Sequence, residues 1–540
     1  MNKALSAQHF DAIVVGAGHN GLVAACYLAR AGLRVLVLER RHLVGGACVT
    51  EETFPGFKVS TAAYVVSLFH KEIVRDLRLA DYGFEVLPRD PSSFTPFPDG
   101  RSLLLGPEAA LNHAEISKFS PRDAARYPEY EAMLERVAAF IEPTLTMVPP
   151  DLLRPGLRGL RQLLTLGRSF ARLGPAAPET IEVLTGAARP LLDRWFESVE
   201  LKSTLATDAI IGAMASPSTP GTAYVLLHHV MGETDGRRGV WGYVRGGMGS
   251  LSEALARAAR DLGVIIRCEA EVARIVVRNG RVTGVALAEG DEYHAPVVAS
   301  NADANITFRH LLDPRVAPAD LLAAVGRISY ESASLKINVA LGELPNFRAC
   351  PGSGPGPQHQ GTIHICPDLD YIERAYDDAK YGRPSARPVL ECTIPSVVDP
   401  TVAPRGRHLM SIFVQYAPYA LREATWDRLG ETFADRCFEV LDEYAPNFRR
   451  SVLARQVVTP LDLERTFNLT GGNIFQGAMI PRQLFSLRPL PGCAGYRTPI
   501  KGLYLCGAAA HPGGGVMGTP GWNAAREILR ARRFRLLTTG

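Results

Sequence analysis

At 540 residues, 46% of them hydrophobic, the chain is long enough to bury a core for more than one domain or for one heavily inserted domain. Its formal net charge of +4 is small for that size, its basic residues are dispersed, and it has no zinc-finger spacing or aromatic RNA motif, which argues against a nucleic-acid partner. Nine widely spaced cysteines without a C-x-x-C pair argue against a disulfide framework or a dithiol relay and read as small buried hydrophobes.

The opening MNKALSAQHF has no apolar signal core and runs almost at once into a strand, so no presequence is expected and a reducing cytosol is the expected compartment. Residues 11–39 read DAIVVGAGHNGLVAACYLARAGLRVLVLE. Ala12 to Val15 is a short β-branched apolar run, suited to a strand buried on both faces of a parallel sheet. Gly16 permits a tight bend, Gly18 lets backbone approach a pyrophosphate, and Gly21 lets the next helix, predicted over 22–31, lie close to the strand. The start of that helix presents free N–H groups and the positive end of its dipole to an anion. Gly32 ends the helix, and 34–38 is a second strand. Glu39, about 20 residues past the turn, is placed to accept hydrogen bonds from a ribose diol and disfavours a 2′-phosphate. Strand, turn, helix, strand and acid in register make this a dinucleotide site.

Gly45 and Gly46, in RRHLVGGACVTEE, extend the motif beyond the minimal unit. The extension resembles the FAD-binding oxidoreductases with an N-terminal dinucleotide fold, in which paired glycines help enclose the pyrophosphate. Further along, WGYVRGGMGSLSEAL carries Gly246, Gly247 and Met248 into an amphipathic helix. Strands are predicted over 263–267 and 271–277, with Asn279-Gly280 as a tight hairpin into 282–288 and a return strand over 297–300. In such flavoproteins backbone near Val272 lies beside the adenine. A last strand over 502–507 leads through AAAHPGGGVMG to a C-terminal helix over 522–532, whose start can place positive dipole near the flavin N1 and O2 atoms.

Two stretches between these segments stand out. Residues 209–232 contain no Asp, Glu, Lys or Arg, yet Pro217 and Pro220 interrupt them and His228 and His229 punctuate them. A membrane span needs about 20 continuous apolar residues, so this is either buried core or the lining of an apolar substrate tunnel, with Leu226 and His228 as candidate substrate contacts. Residues 151–172 set Arg154, Arg158, Arg161, Arg168 and Arg172 among seven leucines. Such a basic amphipathic helix suits either an anionic membrane surface or packing on the protein's own body.

Along nearly its whole length the chain is similar to the phytoene dehydrogenase-related flavoproteins, the group containing carotenoid desaturases, the cyanobacterial type of carotene ketolase and retinol saturase. The strings that carry the likeness are DAIVVGAGHNGLVAACYLARAG, ERRHLVGGACVTEE, GYVRGGMGSLSEAL and LYLCGAAAHPGGGVMGTPG. FPGFKVSTAAYVVSL, LATDAIIGAMASPSTPGTAYVLLHHVMG, LTGGNIFQGAM and LRPLP resemble more narrowly the animal and bacterial subgroup named for a pyridine nucleotide-disulphide oxidoreductase domain. The absence of a cysteine pair departs from that subgroup's name.

The resemblance implies an α/β fold: a discontinuous Rossmann-type FAD-binding domain (1–107, 234–318 and a flavin-contacting segment 461–540) with a mixed-sheet and helical substrate domain (108–233 and 319–460), of the amine oxidase and phytoene desaturase type. It implies noncovalent FAD, since no Cys, Tyr or His occupies Gly513 to Gly515. Cofactor contacts are expected at Gly16, Gly18, Gly21, Glu39, Arg40, Gly45, Gly46, Gly246, Gly247, Met248, Val272, Gly507, Val516 and Met517. The implied reaction is dehydrogenation or desaturation of a lipophilic, isoprenoid-like substrate by hydride transfer to flavin N5, with oxygen or a quinone as acceptor. Isomerase, saturase or ketolase chemistry, or a flavin-bearing regulatory role with little turnover, are the alternatives. With no nucleophile, metal cluster or carboxylate pair evident, His511 is the candidate polar group near the ring, either catalytic or bonding its own loop. Arg245 stands to hold a polar substrate end or its own glycine turn, and Gln483, Arg488 and Asn473 are rim candidates.

Overall fold

The computed structural model describes residues 9–152, 155–352 and 354–538. Arg154 therefore lies outside the described residues. Ala12–Val15 and Val35–Leu38 pair in parallel, Ile13 beside Leu36, with all eight residues buried. Around them a five-stranded parallel sheet forms in the order Ile265–Arg267, Val35–Leu38, Ala12–Val15, Val298–Ser300, Leu503–Leu505. Three distant parts of the chain thus meet in one sheet, and helices His19–Arg30, Gly249–Asp261 and Thr519–Thr538 pack beside it. Gly521 permits the closest helix approach: a Cβ there would stand 2.0 Å from the Asn20 carbonyl oxygen. Over the same domain lies a three-stranded sheet, Val272–Arg278, Arg281–Leu287 and Glu292–His294, turned at Asn279 and Gly280, both with positive φ.

The second domain is a seven-stranded mixed sheet in the order Val452–Val458, Ser334–Leu341, His408–Gln415, Val389–Thr393, Thr362–Ile365, Ser93–Pro96, Ser102–Leu105. Its last two strands come from the segment assigned above to the dinucleotide domain, so the boundary expected at 107 falls too late: the chain has already crossed over by Ser93. Alternation decides what each face of this sheet meets. Ile337, Ile412, Cys392 and Ile363 pack with Phe433, Phe438 and Leu441 of helix Trp426–Tyr444. The alternate residues face the interior of the molecule. A helical layer, including Pro121–Leu145, Val199–Thr207 and Thr222–Val230, closes that side.

All nine cysteines are free. Among the described residues no helix is long and apolar enough to cross a membrane.

Candidate active site

A cavity of about 630 Å³ opens at the C-terminal ends of Ala12–Val15 and Val35–Leu38, lined by Gly16, Gly18, Glu39, Arg40, Gly45, Gly46 and Val272, among others. Gly18 caps helix His19–Arg30 with extended backbone, and Leu22 is the first amide to bond back, to the Gly18 oxygen at 3.0 Å. The helix start therefore offers amides to the cavity. Glu39 is buried and held from both sides, Oε2 accepting from the Ala17 amide at 2.8 Å and Oε1 from the Arg41 amide at 3.0 Å. Arg41 reaches the cavity with Nη1 buried and without a hydrogen-bond partner.

A second cavity, about 190 Å³, shares His19, Ala47, Leu469, Ile474 and Ala508 with the first and lies deeper, against the interior face of the seven-stranded sheet. Gly514, Gly515 and Val516 form one of its walls. Another is Lys336, which is 3% exposed. Its Nζ donates to the carbonyls of Ser60 and Ala62 and lies 5.0 Å from the Tyr64 ring centre. With no carboxylate bonded to it, burial drives its amine well below the ordinary range. His19 is likewise pushed down by burial, to about 4.

A third cavity, about 630 Å³, joins the second through a neck whose walls include Arg89, Asp208, His229, Thr362 and Glu391. Arg89 donates from Nη1 to Thr362 Oγ1 at 2.5 Å and from Nε to the Trp241 carbonyl at 3.3 Å. Burial raises both Asp208 and Glu391, the latter well above the usual carboxylate range. His364, beside Glu391, is lowered to about 3 by burial. Its Nδ1 lies 3.1 Å from Thr207 Oγ1, whose own proton goes to the Thr204 carbonyl, so the ring is the donor there.

Residues 21–371 match the model of the flavin containing amine oxidoreductases. The chain belongs to that family. It is 48% identical to pyridine nucleotide-disulfide oxidoreductase domain-containing protein 2 of Rattus norvegicus, over 96% of this chain and 93% of that one. A limonene dehydrogenase component of Castellaniella defragrans and a lycopene-forming phytoene desaturase of Pseudescherichia vulneris are each 27% identical, over 96% and 94% of this chain and 94% and 96% of theirs. Among solved structures, an oxidoreductase from Methanosarcina mazei shares the fold with a TM-score of 0.59 at 17% identity, covering 96% of this chain and 99% of that one.

This flavin amine oxidoreductase is an FAD-dependent oxidoreductase, and its first cavity fits the cofactor. Gly16, Gly18, Gly45 and Gly46 leave the backbone bare where a pyrophosphate would lie, Arg41, paired with Glu51 through Nη2 at 2.8 Å, keeps Nη1 as an unpartnered donor, and Glu39 stands at the end of its strand for the ribose. Arg40 lines the cavity while donating to the carbonyls of Arg465 and Thr466. Asn301, which the sequence reading missed, closes the opposite side: a Cβ on Gly18 would meet its Nδ2 at 2.6 Å.

Other expected contacts lie elsewhere. Gly21 and Gly507 are packing glycines, an added Cβ at either coming within 2.3 Å of the Gly16 or Asn301 oxygen. Gly246, Gly247 and Met248 are outside the cavity, because their turn is built onto the hairpin Thr50–Phe54 and Phe57–Ser60. A Cβ on Gly247 would meet Thr50 Oγ1 at 2.4 Å, Met248 donates its amide to Ser60 Oγ, and the Gly246 amide goes to Asp399. Met517 is buried, its carbonyl accepting from the His70 amide at 3.1 Å, whereas Val516 lines the second cavity.

His511 does not reach the inner cavity. Its Nε2 lies 2.8 Å from the Thr144 carbonyl, burial lowers it to about 4, and it lines a separate apolar cavity behind helix Leu157–Ala171. Arg245 is at the surface, paired with Glu85. Leu226 is buried and lines the third cavity, while His228 packs against the glycine run, its Cε1 lying 3.0 Å from where a Gly515 Cβ would stand. The three rim candidates hold loops instead. Arg488 donates to the carbonyls of Phe475 at 2.6 Å and Ala508 at 2.9 Å, Gln483 brackets Ser329, and Asn473 Oδ1 accepts from the amides of Phe475 and Gly477. Lys336, Arg89, Asp208 and Glu391, which the sequence reading did not single out, join His19, His229 and Thr362 among the polar groups that line the inner cavity.

Proposed function

We propose that the protein is a dehydrogenase that removes the elements of dihydrogen, one hydride and one proton, from a lipophilic, isoprenoid-like substrate held in the inner cavity. FAD, when bound, accepts the hydride at N5. Ile211, Leu335, Phe413, Leu463, Leu469 and Phe475 supply apolar walls that exclude water and hold a hydrocarbon body by contact. The observation that carries the reading is Lys336, whose amine stands in the wall of that cavity bonded to two carbonyls and to no carboxylate, so that burial lowers its hold on a proton and suits it to serve as the base. Relatives named for limonene and phytoene support the lipophilic substrate. The test is anaerobic mixing of FAD-loaded protein with limonene, geraniol and squalene, followed by admission of oxygen or a soluble quinone. Loss of flavin colour with at least one and its return with an acceptor are expected. A flavin that none of them reduces, but a short polar amine does, overturns the lipophilic assignment.

We propose further that helix Leu157–Ala171 rests on an anionic membrane surface. It turns Leu157 (80% exposed), Leu160 and Leu164 to solvent, with Arg161, Arg168 and Arg172 exposed around them. Arg158 is drawn instead toward Glu527, 3.5 Å away.

A further inference from the structure

The cavity that His511 lines has no part in the dehydrogenation above. It measures about 420 Å³, within the roughly 300–1,000 Å³ of ordinary small-ligand sites. It shares no wall residue with the other three cavities, and the loop that leaves it at His511 reaches the inner cavity only at Gly514. Phe140, Ile141, Met147, Leu166, Phe170 and Leu184 give it hydrocarbon walls. The polar groups of Thr144 are already taken by the protein: its hydroxyl donates to the Ile141 carbonyl at 2.6 Å, and its carbonyl accepts from His511 Nε2 at 2.8 Å. Such a space offers water few partners and suits a hydrocarbon.

Helix Leu157–Ala171 is its outer wall, and the order of residues around that helix sets what each side does. An α-helix turns about 100° per residue, so with Leu163 as origin the cavity-lining Leu166, Gly167 and Phe170 fall within about 60° of it. Exposed Leu160, Leu164 and Leu157 follow on one side at about 60°, 100° and 120°, and exposed Arg168, Arg161 and Arg172 come next at about 140°, 160° and 180°. On the other side, at about −100° and −140°, Gln162 donates to the Val148 carbonyl at 3.0 Å and Arg158 lies 3.5 Å from Glu527. These two fasten the helix along one edge. Along the other, its apolar surface runs from the cavity wall to the leucines that face solvent. Gly167, at about 40°, stands where the two surfaces join. It is exposed and lines the cavity, and a Cβ there would meet nothing within 4 Å, so the wall has a gap at that point.

We propose that this cavity holds the hydrocarbon chain of an anionic amphiphile, which enters over Gly167 and leaves its acidic head outside, beside Arg168 and Arg161. Apolar cavity, leucine edge and arginine edge follow one another in the order of tail and head in such a molecule. A long-chain carboxylate and the acyl chain of an anionic phospholipid share this chemistry. Because the cavity has no wall in common with the inner one, the bound chain is a ligand and not the molecule oxidised. The proposal rests on the membrane reading only for the source of the chain.

The test is photolabelling of FAD-loaded protein with palmitate that carries a diazirine on its chain, added in solution, and with phosphatidylserine that carries the same chain, added as vesicles. Mapped label is expected on 140–147 and 484–486, which line the cavity behind the helix. Plain palmitate should displace it about tenfold better than hexadecylamine, whose charge the arginines repel. Gly167→Phe puts a ring in the gap and a better helix former in the helix, so the fold is kept. Cavity label should fall about tenfold or more in that variant, while pelleting with vesicles, which needs only the outer face, persists. Label from palmitate alone makes the free acid the ligand, and label from both probes brings the chain from the bilayer. Label confined to 157–172, or cavity label that Gly167→Phe leaves unchanged, overturns the proposal. Cavity label from palmitate in a protein that does not pellet with phosphatidylserine vesicles overturns the membrane reading alone.

Discussion

Replacing Lys336 with methionine separates two consequences of one buried amine. In the fold its proton is lost well below the ordinary value of 10.5, because burial is not offset by a carboxylate. In the unfolded chain it is retained up to that value. Between the lowered value and 10.5 the unfolded state therefore binds one more proton, and stability rises with pH by about 1.4 kcal/mol per unit from this group. Below the window both states are protonated and the slope vanishes. Methionine cannot titrate, so Lys336→Met should flatten the stability profile by that slope over the window that ends at 10.5. The substitution also leaves the Ser60 and Ala62 carbonyls without their donor, which costs about 1–3 kcal/mol each. Removal of the penalty for an uncharged lysine offsets part of that loss, most strongly at the acidic end of the window. Urea midpoints of the FAD-loaded proteins across pH give the slope, and stopped-flow anaerobic reduction gives the chemistry. If the amine takes the substrate proton, the reduction rate falls about 10²- to 10⁴-fold. A variant with an unchanged pH slope would show that the amine is not held uncharged, and one that reduces its flavin at the original rate would remove Lys336 from the reaction.

Further predictions concern the cofactor, His511 and the surface helix. Acid denaturation should release free yellow FAD, flavin retained on peptide refuting noncovalent binding. Gly18→Val should yield protein without bound flavin, since its side chain fills the cleft between the turn and Asn301, as absorbance of the purified variant will show. His511→Ala should lose about 1 kcal/mol of stability with the bond to Thr144 but keep its rate of flavin reduction. A fall of about a thousandfold would instead mark a catalytic base. Changing Arg161, Arg168 and Arg172 together to glutamine should weaken pelleting with phosphatidylserine vesicles about a hundredfold at low salt, near 1 kcal/mol for each charge. Unaltered pelleting would leave the helix as ordinary surface.

The dinucleotide half of the molecule was legible because its determinants are local. The strand Ala12–Val15, the glycines at Gly16 and Gly18, the acid at Glu39 and the Asn279-Gly280 hairpin each follow from a few consecutive residues, and the structure has them where the pattern placed them. Gly246 and Gly247 misled for the same reason. A glycine pair before a helix looks alike whether the bare backbone faces a phosphate or, as here, Thr50 and Ser60. His511 misleads because neighbours in sequence need not be neighbours in space: the glycine run lines the inner cavity, but the histidine just before it turns back to Thr144.

The reacting part of the site was not legible, and the reason is register. Lys336 stands in SLKINVAL and Glu391 in VLECT, strands buried along their whole length, and each string reads as core with a single charge in it. An isolated charge in a buried strand is a signal in itself, because it survives only with a partner or a function. No local pattern says which face it takes. A slip of one residue in the pairing of Ser334–Leu341 with His408–Gln415 would turn Lys336 toward helix Trp426–Tyr444 and set Ile337 toward the cavity. The same slip would separate Lys336 from Phe413 and Glu391. The apolar packing of Ile337 and Ile412 against Phe433 and Phe438 on the far face is what forbids it, so the core on one side of the sheet fixes the chemistry on the other.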